Sequence, residues 1–216
     1  MDPNERAVYL TFDDGPIPES TPFILDTLRR YNVKATFFVV GDWVDKYPES
    51  VKALHDAGHE VMNHSNSHAH MSQLSSEAIV ADVEACNDKI EAVTGVRPTL
   101  IRPPYGEYDN NVITSIRSIG MEPIQWDVDS LDWKDLPAGE ITERVVSRVQ
   151  PGSIVLFHNA ALHTPEALPA ILETLLQEGY TFVPISELIL PGEYNVDYTI
   201  DHTGRQLPAQ PSSSPR

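Results

Sequence analysis

The sequence has one cysteine, few basic residues and no long apolar run. Cys86 has no partner for an internal disulfide, a pattern that is usual in cytosolic proteins and that also fits a secreted protein without disulfides. Lysine and arginine number 15 against 32 aspartates and glutamates, and the net charge of −17 disfavours binding to nucleic acid or to an anionic membrane surface. We interpret this acidity chiefly as a source of solubility.

The apolar runs are short, and the chain begins with polar residues. No run reaches the roughly 18–20 residues that cross a bilayer, so we expect no membrane span in this chain. Residues 1–6 do not resemble a secretory signal peptide. They fit either a native cytosolic start or a chain from which an export signal or anchor has been removed.

Short apolar runs alternate with helical patterns along most of the chain. The predicted strands cover residues 7–12, 35–40, 59–63, 99–102, 121–127, 153–158 and 180–183. Repeated strand–helix units indicate an α/β fold with parallel strands covered by helices. About seven such units favour closure into a barrel, with an open doubly wound sheet as the alternative. No glycine-rich dinucleotide loop supports a Rossmann fold.

The length and composition fit a single domain. The chain has 216 residues, 41% of them hydrophobic, which suits one sizeable core but not two. We predict one folded domain over residues 1–190. Residues 191–216 are polar and rich in proline and serine, which predicts an appended C-terminal tail that is at best partly ordered.

The clearest helical pattern covers residues 75–93 and includes the cysteine. Apolar residues recur there at spacings of four and three, which places them on one face. They are Ile79, Val83, Cys86, Ile90 and Val93. We therefore expect Cys86 to be a small buried residue and not a reactive thiol.

Ionisable residues and one tryptophan lie at the ends of the predicted strands or directly after them. In parallel α/β barrels the carboxyl ends of the strands share one face, which carries the active site. Five separate segments contribute to this predicted face. Their residues are Asp13, Asp14, His64, His68, Arg102, Asp129, Asp132, Trp133 and His158.

Asp14, His64 and His68 form a candidate metal-binding set. The histidines are four residues apart, so one helical turn or a tight loop presents both to one point. Two imidazoles and one carboxylate leave open positions on a divalent ion, as catalytic sites require. Solvated loop histidines are an equally good explanation from spacing alone. His70 is a competing ligand, and we favour His68 for its spacing.

The remaining residues suggest acid–base chemistry. An ion on Asp14 would leave Asp13 free as a base, which Arg102 could hold ionised. His158 fits a satisfied core histidine, or a general acid kept protonated by Asp129 or Asp132. Trp133 and Leu156 could line a small apolar pocket suited to a methyl group, although Trp133 alone would be interpreted as a core residue.

Five ordered motifs resemble those of a known family. They are Thr11-Phe12-Asp13-Asp14-Gly15-Pro16, His64-Ser65-x-x-His68, Arg102-Pro103-Pro104-Tyr105, Asp129-x-x-Asp132-Trp133 and Leu156-x-His158. This set is similar to the polysaccharide deacetylases of the NodB-homology type, carbohydrate esterase family 4, over residues 7–189. The residue after His158 is often aspartate in relatives, and here it is Asn159.

The resemblance implies a distorted (β/α) barrel and a role for each motif residue. It implies a divalent ion on Asp14, His64 and His68, with zinc favoured and cobalt or nickel as alternatives. The other implied roles are Asp13 as base with Arg102 tuning it, His158 as acid with Asp132 orienting it, the Tyr105 N–H as oxyanion donor, and Trp133, Leu156 and Pro104 around the acetyl group.

The implied activity is removal of N-acetyl groups from a polysaccharide, with peptidoglycan as the expected substrate. An O-acetyl xylan esterase and a chitin deacetylase are alternative enzymes that the same site would serve. A catalytically inactive carbohydrate-binding module is the alternative from another class. We expect a monomer that acts outside the cell or at the cell surface, while a cytoplasmic location stays open.

Overall fold

The computed structural model describes residues 6–188, together with the backbone of residues 198–200 and 206–208. Eight parallel strands form one sheet. They are β1 (Ala7–Asp14), β2 (Thr36–Val39), β3 (Glu60–Asn63), β4 (Leu100–Ile101), β5 (Glu122–Pro123), β6 (Val128–Asp129), β7 (Ile154–His158) and β8 (Thr181–Phe182). The α-helices are α1 (Thr21–Arg30), α2 (Gly41–Lys46), α3 (Pro48–Asp56), α4 (Ser76–Thr94), α5 (Asn110–Ser118), α6 (Ala138–Val146) and α7 (Thr164–Gln177).

The strand order explains why the sheet is curled. The order is β5-β4-β3-β2-β1-β7-β6, with β8 also paired to β1, so β5 and β6 lie at opposite edges. In a flat sheet these edges would be about 29 Å apart, because neighbouring strands are about 4.8 Å apart. The chain between Pro123 and Val128 spans at most about 17 Å. The sheet therefore curls into a distorted barrel, and the predicted fold class is confirmed.

The predicted strand over residues 121–127 is wrong in its extent. The structure has two short strands there, β5 beside β4 and β6 beside β7. The segment between them crosses from one edge of the sheet to the other. Its last residue, Asp127, accepts hydrogen bonds from the Ile154 N–H at 2.6 Å and from the Ser153 hydroxyl at 2.7 Å. These bonds tie the crossing segment to the start of β7.

Strand β1 lies in the middle of the sheet and is almost wholly buried. The ring of Phe12 stacks on Phe37 of β2 at 4.8 Å and on Phe157 of β7 at 5.4 Å. Such aromatic pairs contribute about 0.5–1.5 kcal/mol each beyond the area they bury. The three rings thus help to fix the register of these three central strands near their carboxyl ends.

Strand β1 also extends two residues further than the sequence predicted. Asp13 pairs with Phe38 of β2 and His158 of β7, and Asp14 pairs with Val39. The backbone ladder continues through both aspartates because the neighbouring strands β2 and β7 are long enough to pair with them. Asp13 and Asp14 therefore end the strand and do not follow it.

Helix α4 confirms the prediction for the cysteine. Cys86 is fully buried, and burial raises the pKa of its thiol to about 12. The helix begins after Ser75, whose hydroxyl accepts from the Ala78 N–H at 3.2 Å, and it ends at Gly95 in the left-handed conformation (φ 76°).

Part of the predicted tail lies outside the described residues. Residues 189–197, 201–205 and 209–216 are not among the described residues. The predicted boundary between domain and tail, at residues 190 and 191, therefore remains a prediction. The backbone of Tyr198–Ile200 (β9) pairs antiparallel with Gln206–Pro208 (β10). Among the described residues, no helix is both long and apolar enough to cross a membrane.

Candidate active site

Three predicted ligands come together at the carboxyl ends of β1 and β3. One ligand atom from each of Asp14, His64 and His68 lies within 4.8 Å of the others. His64 Nε2 is 3.6 Å and His68 Nε2 is 3.4 Å from Asp14 Oδ1. Two ligand atoms, each about 2.1 Å from a tetrahedral ion, lie about 3.4 Å apart. The spacing and the donor types therefore fit a divalent metal ion.

The ligand tautomer of His64 follows from its neighbour. His64 Nδ1 lies 2.7 Å from the Arg102 carbonyl oxygen. Because a carbonyl only accepts, Nδ1 carries the proton and the Nε2 lone pair is free to face the cluster. Hydrogen bonds to both histidines outweigh the opposing effect of burial on Asp14, and they lower its pKa well below the usual range.

The two histidines lie in a tight loop, one of the two forms predicted from their spacing. Asp14, Ser65 and His68 all have positive φ angles, of 78°, 68° and 55°. Such conformations cost about 1–3 kcal/mol each for residues other than glycine, and surrounding contacts must hold them. The His68 N–H donates to Ser65 Oγ at 2.8 Å, and the Ser65 N–H donates to Asn63 Oδ1 at 2.7 Å.

Helix α4 holds this loop from outside the cluster. The Asp82 carboxylate accepts from the Asn66 N–H at 2.8 Å and from the Ser67 hydroxyl at 3.0 Å. The Asn63 amide donates to Asn87 Oδ1 at 2.8 Å. Sequence reasoning missed these supports. Asp82 lies on a distant helix, and only the position of Asn63 directly before His64 could have suggested its role.

Asp13 and Arg102 form a buried ion pair beside the cluster. Arg102 Nη1 donates to Asp13 Oδ1 at 2.7 Å and to Thr11 Oγ1 at 2.7 Å. The Arg102 side chain is fully buried, and its guanidinium lies 4.4 Å from the centre of the Phe38 ring. Burial lowers the pKa of Arg102 against the opposing effect of Asp13, yet an arginine stays charged. Asp13 Oδ2 is 3.7 Å from His64 Nε2.

His158 is held by Asp132, one of the two aspartates considered from the sequence. His158 Nδ1 is 2.7 Å from Asp132 Oδ1. The other oxygen of Asp132 accepts from the His158 N–H at 2.8 Å and from the Thr164 hydroxyl at 2.6 Å. Burial opposes protonation of His158. Its hydrogen bond to Asp132 and the charges of nearby aspartates outweigh burial and raise its pKa to about 9.

Two neighbours of this pair have other contacts. Asp129 accepts from the Leu131 N–H at 2.8 Å and shapes the turn before Asp132. The Asn159 N–H donates to the Asp13 carbonyl at 3.1 Å, and its side chain is buried without a hydrogen-bond partner among the described residues.

The predicted oxyanion and pocket residues differ in exposure. Tyr105 has a left-handed backbone (φ 60°, ψ 5°), and its side chain is exposed. Trp133 is exposed, so it is not a core residue, which is how it would be interpreted without its motif. Leu156 and Pro104 are buried. His70 does not join the ligand cluster. Its Nδ1 lies 2.9 Å from Glu107 Oε1, and its ring stacks on Tyr105.

Comparison with known proteins decides the family. Residues 1–124 match the sequence model of the family described as Polysaccharide deacetylase. The chain belongs to the polysaccharide deacetylase family. The resemblance found in its ordered motifs is therefore confirmed.

Three relatives illustrate the similarity of this polysaccharide deacetylase. It is 39% identical over 188 residues to the peptidoglycan-N-acetylmuramic acid deacetylase PdaC of Bacillus subtilis (strain 168), over 87% of this chain and 40% of that protein. A solved PdaC structure has a TM-score of 0.79 at 40% identity, with 87% of this chain and 92% of that chain covered. A peptidoglycan-N-acetylglucosamine deacetylase of Bacillus cereus is 35% identical over 189 residues, 86% of this chain and 69% of that protein.

The third relative is a CE4 family pseudoenzyme from Bacillus anthracis. Its crystal structure has a TM-score of 0.81 at 36% identity, with 86% of this chain and 66% of that chain covered. The family fold is thus shared with a pseudoenzyme at similar identity. The chain also spans only about 40% of the length of PdaC.

Proposed function

We propose that this chain is a metal-dependent hydrolase that removes N-acetyl groups from the amino sugars of a polysaccharide, with peptidoglycan as the substrate. One observation carries the proposal. A cluster of three residues that could hold a metal ion lies beside a carboxylate held by arginine, and His158, on the strand next to that carboxylate, is held by Asp132. Relatives named as peptidoglycan deacetylases support the substrate class.

Asp14, His64 and His68 would hold the ion. Their two nitrogens and one oxygen suit zinc, while cobalt and nickel accept the same donors. When bound, a divalent ion supplies Lewis-acid polarisation to the acetyl carbonyl and to water. The ordered loop and the fixed tautomer of His64 reduce the cost of arranging the ligands.

Asp13 acts as the general base. It accepts a proton from the water that attacks the acetyl carbon, and Arg102 holds the carboxylate in place through a 2.7 Å bond. One oxygen of Asp13 is bound to Arg102 and the other lies toward His64, so the second oxygen is the one that takes the proton.

His158 acts as the general acid. Its Nδ1 proton is held by Asp132, which leaves the Nε2 proton to be donated to the leaving nitrogen. A pKa raised to about 9 keeps the ring protonated at neutral pH. The products are acetate and a free amino sugar.

Tyr105, Trp133, Leu156 and Pro104 complete the site. The Tyr105 N–H donates to the oxyanion of the tetrahedral adduct, a type of contact whose loss costs about 10²–10³ in rate. The other three residues bound the acetyl group. We further propose that the protein works as a monomer on the cell wall.

The proposal is tested by acetate release from the metal-loaded protein. Peptidoglycan, N-acetylglucosamine oligomers and acetylated xylan are compared, and mass spectrometry assigns the deacetylated sugar. We expect release from the N-acetylated substrates and loss of release in Asp13→Asn and His158→Ala. Release from xylan alone would indicate an O-acetyl esterase. Binding of these glycans without any release of acetate would indicate an inactive binding module.

A further inference from the structure

A hydrogen-bonded acid links the loop of the metal ligands to the loop of Tyr105. Glu107 Oε1 is 2.9 Å from His70 Nδ1, and Glu107 Oε2 accepts from the Ser72 hydroxyl at 2.9 Å. Both carboxylate oxygens are therefore occupied, which fixes the orientation of the Glu107 side chain. His70 and Ser72 lie two and four residues after the proposed ligand His68.

The His70 ring carries this link to Tyr105. The two rings are stacked, with centres 4.1 Å apart and planes at 10°. The rings of Tyr105 and His68 also meet edge to face, with ring centres 4.6 Å apart and planes at 74°. Tyr105 is therefore held between a residue bound to Glu107 and a residue of the metal cluster.

Tyr105 needs such support because of its backbone. A tyrosine at φ 60° and ψ 5° is strained by about 1–3 kcal/mol, and nearby contacts must hold it there. Its side chain is 56% exposed, so core packing contributes little. The Gln125 amide supports the backbone of the next residue by donating to the Gly106 carbonyl at 2.6 Å. The stack on His70 supports the Tyr105 ring.

We propose that His70, oriented by Glu107, is a positioning residue that fixes Tyr105 against the metal loop. This inference rests on the proposed function, in which the Tyr105 N–H donates to the oxyanion. The contact develops in the transition state, so its misplacement lowers kcat and leaves KM and metal affinity nearly unchanged. A displacement of about 1 Å costs up to about 10²-fold in rate.

The variants separate the stack from the hydrogen bond. His70→Ala removes both, and we expect kcat to fall about 10–100-fold. His70→Phe keeps a flat ring without the bond to Glu107, and it should recover most of that loss. Glu107→Ala should give a smaller loss than His70→Ala, and the double variant should be no slower than His70→Ala alone, because the two residues act as one unit. His55→Ala, on α3 away from the site, is the matched control.

Two readouts do not depend on turnover. Hydrogen exchange of the peptide over residues 103–108 should rise in His70→Ala, fall back in His70→Phe and stay at the wild-type level in His55→Ala. Affinity for zinc, measured against a competing chelator, should stay within about threefold of wild type, well short of the 10–100-fold loss typical of an outer-shell partner of a ligand.

The outcomes distinguish this inference from the proposed function. If no acetate is released by the wild-type protein, the proposed function fails, and the exchange pattern alone decides whether His70 positions Tyr105. Unchanged exchange in His70→Ala would overturn the inference. Loss of zinc in parallel with kcat would also overturn it, because His70 would then act through the ion. If His70→Ala does not fold, Glu107→Ala replaces it: hydrogen exchange over residues 103–108 above the wild-type level supports the inference, and unchanged exchange overturns it.

Discussion

Asp132→Asn should remove most of the effect that keeps His158 protonated. Asp132 is fully buried and accepts three hydrogen bonds, two from His158 and one from Thr164. Asparagine has nearly the same shape but carries no charge. The substitution should therefore lower the pKa of His158 from about 9 toward the ordinary value of 6.5 while the fold is retained.

The expected size of the effect follows from how far the pKa of His158 is raised. Burial alone would lower the pKa of His158, so the rise from 6.5 to about 9 reflects Asp132 first and the charges of Asp13 and Asp14 after it. This rise corresponds to about 3 kcal/mol in favour of the protonated ring. Because the folded-state pKa is raised, protonated His158 contributes fully to the free energy of unfolding below pH 6.5, and this contribution is lost as the pH rises through about 9. Asp132→Asn should reduce this dependence of stability on pH.

The assay is a titration of the His158 ring proton by NMR in metal-free protein. Wild-type His158 should titrate near pH 9, and His158 in Asp132→Asn should titrate at a clearly lower pH. Adding zinc should lower the pKa of wild-type His158, since the ion offsets the charge of Asp14. Glu166→Gln is the control, because Glu166 lies 3.6 Å from a different histidine, His163. The alkaline limb of kcat should shift in the same direction as the ring titration.

The result that refutes this reasoning is a His158 that titrates at the same pH in wild type and Asp132→Asn. The pKa would then be set by the wider negative field of the site and not by its direct partner.

Four further predictions concern the metal ion. Chelation should abolish acetate release and added zinc should restore it; full activity in protein shown to be metal-free by elemental analysis would contradict the proposed mechanism. Asp14→Asn should lose zinc and recover partly at high zinc, while Asp13→Asn should keep zinc and lose about 10²–10⁴ in rate; metal content measured beside rate reveals whether these roles are reversed. His68→Ala should weaken zinc binding far more than His70→Ala, and equal losses in a chelator competition would count against His68 as the ligand. Asp82→Ala should weaken zinc binding about 10–100-fold by releasing the ligand loop, as outer-shell partners typically do; unchanged affinity would show that the loop holds its shape without α4.

The sequence predicted the central strands and which polar residues lie at their carboxyl ends, while the roles of those residues remain predictions. Strands such as β2 and β7 are apolar runs whose burial is visible in their composition. Asp13 lies at the end of β1, His64 directly follows β3, and His158 ends β7. The ordered motifs at these strand ends suggested the family, and the match of residues 1–124 to the family model confirms it. Residue identities at strand ends are local information, and the sequence carries them directly.

Other features depend on contacts that the sequence does not reveal. Strands β5 and β6 have two residues each and no periodicity of their own, so they were merged into one predicted strand. The residues alone left Asp129 and Asp132 as equal candidates and only the family resemblance favoured Asp132; the contact of Asp132 with His158 follows a left-handed turn at Leu131 that no sequence pattern predicts. Long-range supports such as Asp82 depend on how α4 packs against β3, and no spacing along the chain predicts that.

The central position of β1 has a consequence for how the site forms during synthesis. Asp14, His64 and the carbonyl that orients His64 all lie within β1 to β4 and the residues that follow them, up to Arg102. Asp13 meets His158 only when β7 pairs with β1, after the chain has been made as far as residue 158. At about 5–20 residues per second, synthesis from His68 to His158 takes about 5–20 s. The metal ligands thus become available for pairing several seconds before the acid. Under the proposed function, the residues that would hold the ion are therefore synthesised before the residue that would act as the acid.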